Sequence, residues 1–148
     1  MLKINRKFEY AFVALTYMNG KNPGQLTTAK EICNKYKTPF DPTARVLQIM
    51  AQNNILKALQ GAKGGYLLIR DISKISLKEL SDMIVGPLEI ANCIQGAHSE
   101  CTHSDNCHII APMLVLNKKL ERFFETIMIT DLINNKNSTS FFAHGAMQ

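Results

Sequence analysis

The 148-residue sequence predicts a mainly α-helical chain with one small two-stranded β-ribbon and a long C-terminal helix. Three observations predict it. Three stretches within residues 5–52 keep helical apolar spacing and carry helix-start signals. Two short β-prone runs flank a glycine-rich turn at residues 60–64. A later stretch, residues 112–132, repeats apolar residues every three or four positions.

The first helix is predicted from Asn5 to about Met18, with Phe8, Ala11, Phe12, Leu15 and Met18 on one side. Asn19-Gly20-Lys21-Asn22-Pro23-Gly24 breaks it. Thr28-Ala29-Lys30-Glu31 has the form of a capping box, in which a hydroxyl holds a free N–H while Glu reaches back. It opens a short helix from Ala29 to about Tyr36, with Ile32 inward. Lys37-Thr38-Pro39-Phe40 reads as a turn. Asp41-Pro42 reads as the next helix start, Asp capping and Pro at the first helical position. That helix reaches about Gln52 with Val46, Leu47, Ile49 and Met50 as its apolar set, and Asn53-Asn54 ends it.

The runs 55–59 and 65–69 form a hairpin around Gln60-Gly61-Ala62-Lys63-Gly64. Ser76-Leu77-Lys78-Glu79 is a second capping box, opening a helix to about Val85 that Gly86-Pro87 stops. A polar loop from about Asn92 to His108 holds three of the four cysteines. The long helix is expected from about Pro112 to Leu132. Met113, Leu116, Leu120, Phe123 and Ile127 advance by three, four, three and four, which makes one apolar seam. Lys118–Glu121 and Arg122–Glu125 are spaced to pair on its flank. With Leu114, Phe124, Ile129 and Leu132 also apolar, the helix has more apolar surface than one small domain covers. A two-fold homodimer is the expected solution. The expected organisation is a first domain over 1–86, a cysteine-bearing loop over 87–108, a dimerisation helix over 109–135 and a loosely ordered tail over 136–148.

Charge is divided unevenly. Residues 1–70 carry eleven Lys or Arg and three acids, a net +8, and residues 71–148 carry six and nine, a net −3. A basic half joined to a mildly acidic half points to a polyanion-binding module carrying a second module. No stretch approaches the roughly 20 apolar residues of a membrane span. The first seven residues lack the apolar run and cleavage site of a signal peptide, so a cytoplasmic protein is expected. No phosphate loop, paired catalytic carboxylates or nucleophile–base motif is present, which argues against an enzyme.

Three short helices followed by a two-stranded ribbon is the order of a winged helix-turn-helix. In that arrangement the helix after the tight turn enters the major groove of double-stranded DNA by its N-terminal end. Here that end is Thr38 to Arg45. Arg45 can donate two parallel hydrogen bonds to guanine, or make a surface ion pair. Thr38 and Thr43 lie where hydroxyls can touch a base edge or a phosphate. Thr28 begins a helix whose free N–H groups suit a phosphate oxygen. Lys63 sits at the tip of the ribbon, the wing, within reach of phosphate or the minor groove.

Cys93, Cys101 and Cys107 are separated by seven and five residues in a glycine-bearing polar loop. Thiolates so spaced can converge on one soft metal centre: an iron–sulfur cluster, zinc or copper(I). The C-x-x-C knuckle common in structural zinc sites is absent. Three free surface thiols are the alternative. Cys33 lies inside an apolar-periodic helix and reads as a small buried residue.

Several segments together resemble the Rrf family of winged-helix regulators. They are Lys7-Phe8-Glu9-Tyr10-Ala11, Leu47 with Asn54-Ile55-Leu56, Gly61-Ala62-Lys63-Gly64-Gly65-Tyr66-Leu67-Leu68, and Ile129-Thr130-Asp131-Leu132. The resemblance covers about residues 1–135. Gln60 stands where many members carry a basic residue before the wing glycine, which leaves Lys63 as the wing's cation. The resemblance implies a DNA-binding regulator, expected to be a repressor. The cysteine triad resembles that of the IscR and NsrR types, which implies a 2Fe–2S or 4Fe–4S cluster that senses redox, nitric oxide or iron–sulfur status. The CymR type shares the fold without the triad. The histidine that serves the IscR type as a further ligand is replaced here by Ile110. The N-terminal carboxylate of the NsrR type matches Glu9, which would then come from the other subunit. His98, His103 and His108 are rival fourth ligands, His108 by its place next to Cys107. A zinc- or thiol-switched regulator without a cluster is the alternative reading.

Overall fold

A computed structural model describes residues 4–91 and 107–134. Asn5 caps helix α1 (Arg6–Asn19), its side chain accepting from Lys7 N at 2.9 Å. Phe8, Ala11, Ala14, Leu15 and Met18 are the buried face of α1, which packs on α2 and α3. Helix α2 (Ala29–Tyr36) begins with the expected capping box. Glu31 N donates to Thr28 Oγ1 at 3.2 Å and Thr28 N donates to Glu31 Oε2 at 3.3 Å.

Helix α3 (Phe40–Gln52) starts earlier than expected. Pro39, not Asp41, occupies the N-cap and makes no side-chain cap bond. Its extended backbone (φ −67°, ψ 143°) presents a carbonyl to Thr43, which donates from both N, at 3.4 Å, and Oγ1, at 2.7 Å. Asp41 and Pro42 fall within the first turn, where the missing proline N–H leaves no helical bond unmade. Asn54, at φ 57°, ends α3 in the left-handed region that Asn tolerates.

Strands β1 (Leu56–Leu59) and β2 (Gly65–Leu68) pair antiparallel, with Leu56 opposite Leu68 and Leu59 opposite Gly65. Gly61 turns the hairpin at φ +114°, a backbone that side chains disfavour. Thr27 and Tyr66 exchange backbone bonds of 2.9 and 2.8 Å, so the ribbon is tied to the entry of α2. A Cβ on Gly65 would come within 2.9 Å of the Thr27 carbonyl oxygen, which is why the third wing glycine is needed. Arg70, just past β2, pairs through both terminal nitrogens with Glu79 at 2.5 and 3.1 Å. The second expected capping box is therefore half formed. Ser76 accepts from Glu79 N at the start of α4 (Leu77–Ile84), but the Glu79 carboxylate turns to Arg70.

The single helix expected over Pro112–Leu132 is two helices, α5 (Ile110–Thr126) and α6 (Ile129–Asn134). Between them Ile127 is extended. Its carbonyl accepts from Leu77 N at 2.7 Å, and Ile129 N donates to the Ile75 carbonyl at 2.9 Å. Backbone pairing with a segment some fifty residues earlier, around the Ser76–Met128 bridge, replaces the helical ladder. Asp131 Oδ2 accepts from Met128 N at 3.3 Å and helps restart the helix. Ile129 is fully buried in the same core as Leu15, Ile32, Leu47, Met50 and Leu80. The end of the chain thus completes the N-terminal body, and burying each such side chain contributes about 1.5–3 kcal/mol.

Candidate nucleic-acid interface and cysteine site

The turn between α2 and α3 is built without glycine. Lys37 takes the left-handed conformation, φ 55°, at the end of α2 and is exposed. Thr38 follows, half-buried, its hydroxyl bonded to Cys33 Sγ at 3.6 Å and to Thr43 Oγ1 at 3.0 Å. Thr43 is fully buried. This corrects the expectation that Thr43 touches DNA: its position on α3 turns it inward with Val46, Leu47 and Met50, and its hydroxyl is spent on Pro39 and Thr38. Thr38 is likewise engaged in holding the turn.

The outward stripe of α3 is Asp41, Arg45, Gln48 and Gln52, at helical intervals of four, three and four. Arg45 is exposed and makes no ion pair among the described residues. Asp41, Pro42, Ala44, Arg45 and Gln48 line a shallow open concavity. Phe40, the first residue of α3, is 56% exposed. Lys63 is exposed at the wing tip, as expected. At Thr28 the capping box already uses the hydroxyl as an acceptor, leaving its proton and the next N–H groups to a phosphate. Glu31 occupies part of that helix end. Lys21 holds it at 2.7 Å, and chiefly this hydrogen bond keeps the Glu31 carboxyl below its usual range. Lys37, Phe40 and Gln48 were not singled out from sequence. Gln48 was findable as the outward residue between Leu47 and Met50, while nothing local marks Lys37 for a left-handed turn.

Of the proposed metal ligands, Cys93 and Cys101, with His98 and His103, lie outside the described residues. Cys107 is a free, half-buried thiol three residues before α5, and His108 beside it is exposed. Glu9 is half-exposed on α1 and pairs with Arg6 at 3.3 Å. Among the described residues no three His, Cys, Asp or Glu side chains gather at a metal-binding distance. As a donor set, three thiolates and a carboxylate suit iron, the carboxylate being the hard and displaceable member. The segment entering the cysteine loop is anchored. Asn117 of α5, 4% exposed, accepts from Ile90 N at 3.2 Å and donates to Glu121 Oε1 at 2.9 Å.

The sequence model of the Rrf2 family, described as an iron-dependent transcriptional regulator, matches residues 4–135. The chain belongs to the Rrf2 family. Rrf2 proteins are transcriptional regulators. The chain is 22% identical to the HTH-type transcriptional regulator NsrR of Bacillus subtilis, over 91% of this chain and 92% of that one. Its fold is similar to that of CymR, the global cysteine regulator of Bacillus subtilis, with TM-score 0.65 and 18% identity over 90% of this chain and 98% of CymR. It is also similar to T. potens IscR, with TM-score 0.58 and 19% identity over 99% and 94% of the two chains.

The apolar seam of α5 in this Rrf2 chain is only partly covered. Met113 and Leu120 are half-buried beside Asn117, whereas Leu116 and Phe123 are exposed, and Ile127 lies past the helix end. One edge of the stripe is therefore packed and the other is open among the described residues. The inner face packs on α4. There Lys78 bonds Asp82 at 2.6 Å, which chiefly raises the Lys78 pKa, with Glu121 and Glu125 of α5 adding to it. Glu121 bonds Asn117, and neither flank pair expected from spacing appears among the ion pairs of the described residues. The outer face exposes Ile109 at 64%, Val115 at 55% and Phe123 at 58%. No helix among the described residues is long and apolar enough to cross a membrane.

Proposed function

We infer that this Rrf2 chain is a homodimeric, DNA-binding repressor that senses redox, nitric oxide or iron–sulfur status through a cluster held by Cys93, Cys101 and Cys107, with Glu9 as the fourth ligand. The observation that carries the reading is the position of Cys107. It lies directly ahead of α5, at one end of the cysteine loop, and Asn117 of the same helix clasps Ile90 at the other end. Both ends of the loop therefore report to one helix. A bound cluster supplies an iron centre that oxidants and nitric oxide attack.

The chain's own residues do the rest. Arg45 and Lys63 present cations to DNA, and Thr28 offers a hydroxyl proton and neighbouring N–H groups to phosphate. The outer face of α5, with Leu116 and Phe123, pairs two copies, so that two α3 helices meet half-sites about one helical turn apart. A change at Cys107 shifts the start of α5 and so the spacing of the two α3 helices. A tenfold switch in DNA affinity needs only about 1.4 kcal/mol of coupling.

A second reading, a thiol-switched regulator without a cluster, is supported by the Cys33 thiol, which bonds Thr38 at the turn into α3. Anaerobic absorbance with iron and sulfide analysis separates the two. The cluster reading expects visible absorbance, iron and sulfide in the isolated chain, lost in Cys101→Ala and altered in Glu9→Ala. Colourless, iron-free and sulfide-free protein contradicts it.

A further inference from the structure

Phe40 is the feature that neither the fold nor the repressor reading absorbs. It is the first residue of α3, more than half exposed, and absent from the aromatic pairs of the described residues. Leaving such a ring in water forgoes the stabilisation its burial would bring. Among the large apolar side chains of α3 it alone is exposed. On the same helix Asp41, Arg45 and Gln48 line a shallow concavity together with Pro42 and Ala44. Lys30, Lys35, Lys37 and Lys63, all exposed, carry the charge of this part of the chain. A partner for this helix end therefore has to be a polyanion that also offers a small apolar group at its edge. In the DNA major groove that group is the C5-methyl of thymine, which apolar side chains contact.

Gln48 follows from the same geometry. It is exposed, one turn beyond Ala44 and two beyond Phe40. A Gln amide matches the N6 donor and N7 acceptor of adenine. Eight residues of helix span about 12 Å, or three to four base-pair rises of about 3.4 Å. We propose that Phe40 and Gln48 are specificity residues of α3, reading a thymine methyl and an adenine within one segment of about four base pairs that also holds the guanine of Arg45. The assignment rests on the DNA-binding reading above and deepens it.

The full chain is used to select duplexes from a randomised double-stranded library, and affinities for the selected duplex are measured by fluorescence anisotropy. The same duplex is then made with deoxyuridine in place of thymidine, one position at a time. Phe40→Ala is expected to weaken binding about tenfold, Phe40→Leu to restore most of it, and Phe40→Ala to cost nothing further on the duplex whose contacted methyl is gone. Gln48→Ala is expected to lose discrimination at one A·T pair and keep it elsewhere. Both side chains are exposed, so an unchanged thermal midpoint checks the fold. If Phe40→Ala weakens every duplex equally, deoxyuridine duplexes included, or weakens none while Arg45→Ala does, this assignment is overturned and DNA binding stands. If the wild-type chain enriches no duplex, DNA binding falls and this assignment with it.

Discussion

In the body of the molecule Leu15, Ile32, Leu47, Met50 and Leu80 are fully buried, whereas along α5 the buried side chain is the polar Asn117, and Val115, Leu116 and Phe123 face outward. The body covers its own apolar surface, down to Ile129 from the far end of the chain. Helix α5 packs one side against α4, and its buried Asn117 bonds Ile90 and Glu121. A helix that is apolar on two faces and packed on one needs a second neighbour. On the reading proposed above, a two-fold copy would supply it with the same surface. The body covers itself, and α5 leaves a face for the proposed dimer.

The comparison breaks first at the core. Ile129→Ala is expected to destabilise the chain by about 2–5 kcal/mol, as Leu47→Ala does, measured by denaturant unfolding. An effect under about 0.5 kcal/mol at Ile129 alone would detach α6 from the body. Next is the outer face of α5. Phe123→Glu, measured by analytical ultracentrifugation, is expected to halve the mass and weaken self-association by a factor of about thirty or more, the hot-spot scale for a buried aromatic. Its intrinsic unfolding at low concentration should stay close to wild type. Unchanged mass would place the dimer face elsewhere.

Asn117→Ala comes third. It leaves the Ile90 N–H without its acceptor, at a cost of about 1–3 kcal/mol, and hydrogen exchange at Ile90 should quicken while amides of α1 stay protected. The smallest effect concerns Glu31. Its carboxyl is held below its ordinary value of 4.5, chiefly by the Lys21 hydrogen bond. A depressed acid favours the folded state above its ordinary value, and the contribution disappears as pH falls through the lowered one. The stability gap between wild type and Lys21→Met should therefore narrow as pH falls below the ordinary Glu31 value, leaving what Lys21 gives to the Leu26 carbonyl. The Glu31 side chain is 44% exposed, so the difference at neutral pH stays within about 1 kcal/mol.

Much of this was legible from local patterns. The caps at Thr28 and Ser76, the Gly61 turn and the two strands of the hairpin depend on neighbours in sequence, and they fall where expected. The misplacements along α5 have non-local causes. α5 stops at Thr126 because Ile127 and Ile129 find backbone partners at Leu77 and Ile75, which no window around residue 127 contains. Spacing along α5 showed that it is apolar but not which side meets α4. Thr43 has a local cause: it stands three, four and seven residues before Val46, Leu47 and Met50, so the spacing that sets the apolar face of α3 also turns Thr43 inward. At the cysteine site, Cys107 lies at the head of α5, and Cys93 and Cys101 fall outside the described residues. Glu9 on α1 meets only Arg6 among the described charges.

The most direct measurement is the affinity of the full chain for its selected duplex, prepared anaerobically as wild type and as Cys107→Ala, at several salt concentrations. Cysteine-gated DNA binding through Arg45, Lys63 and the helix ends predicts affinities at least tenfold apart, each falling steeply as salt rises. Equal affinities with little salt dependence would contradict it.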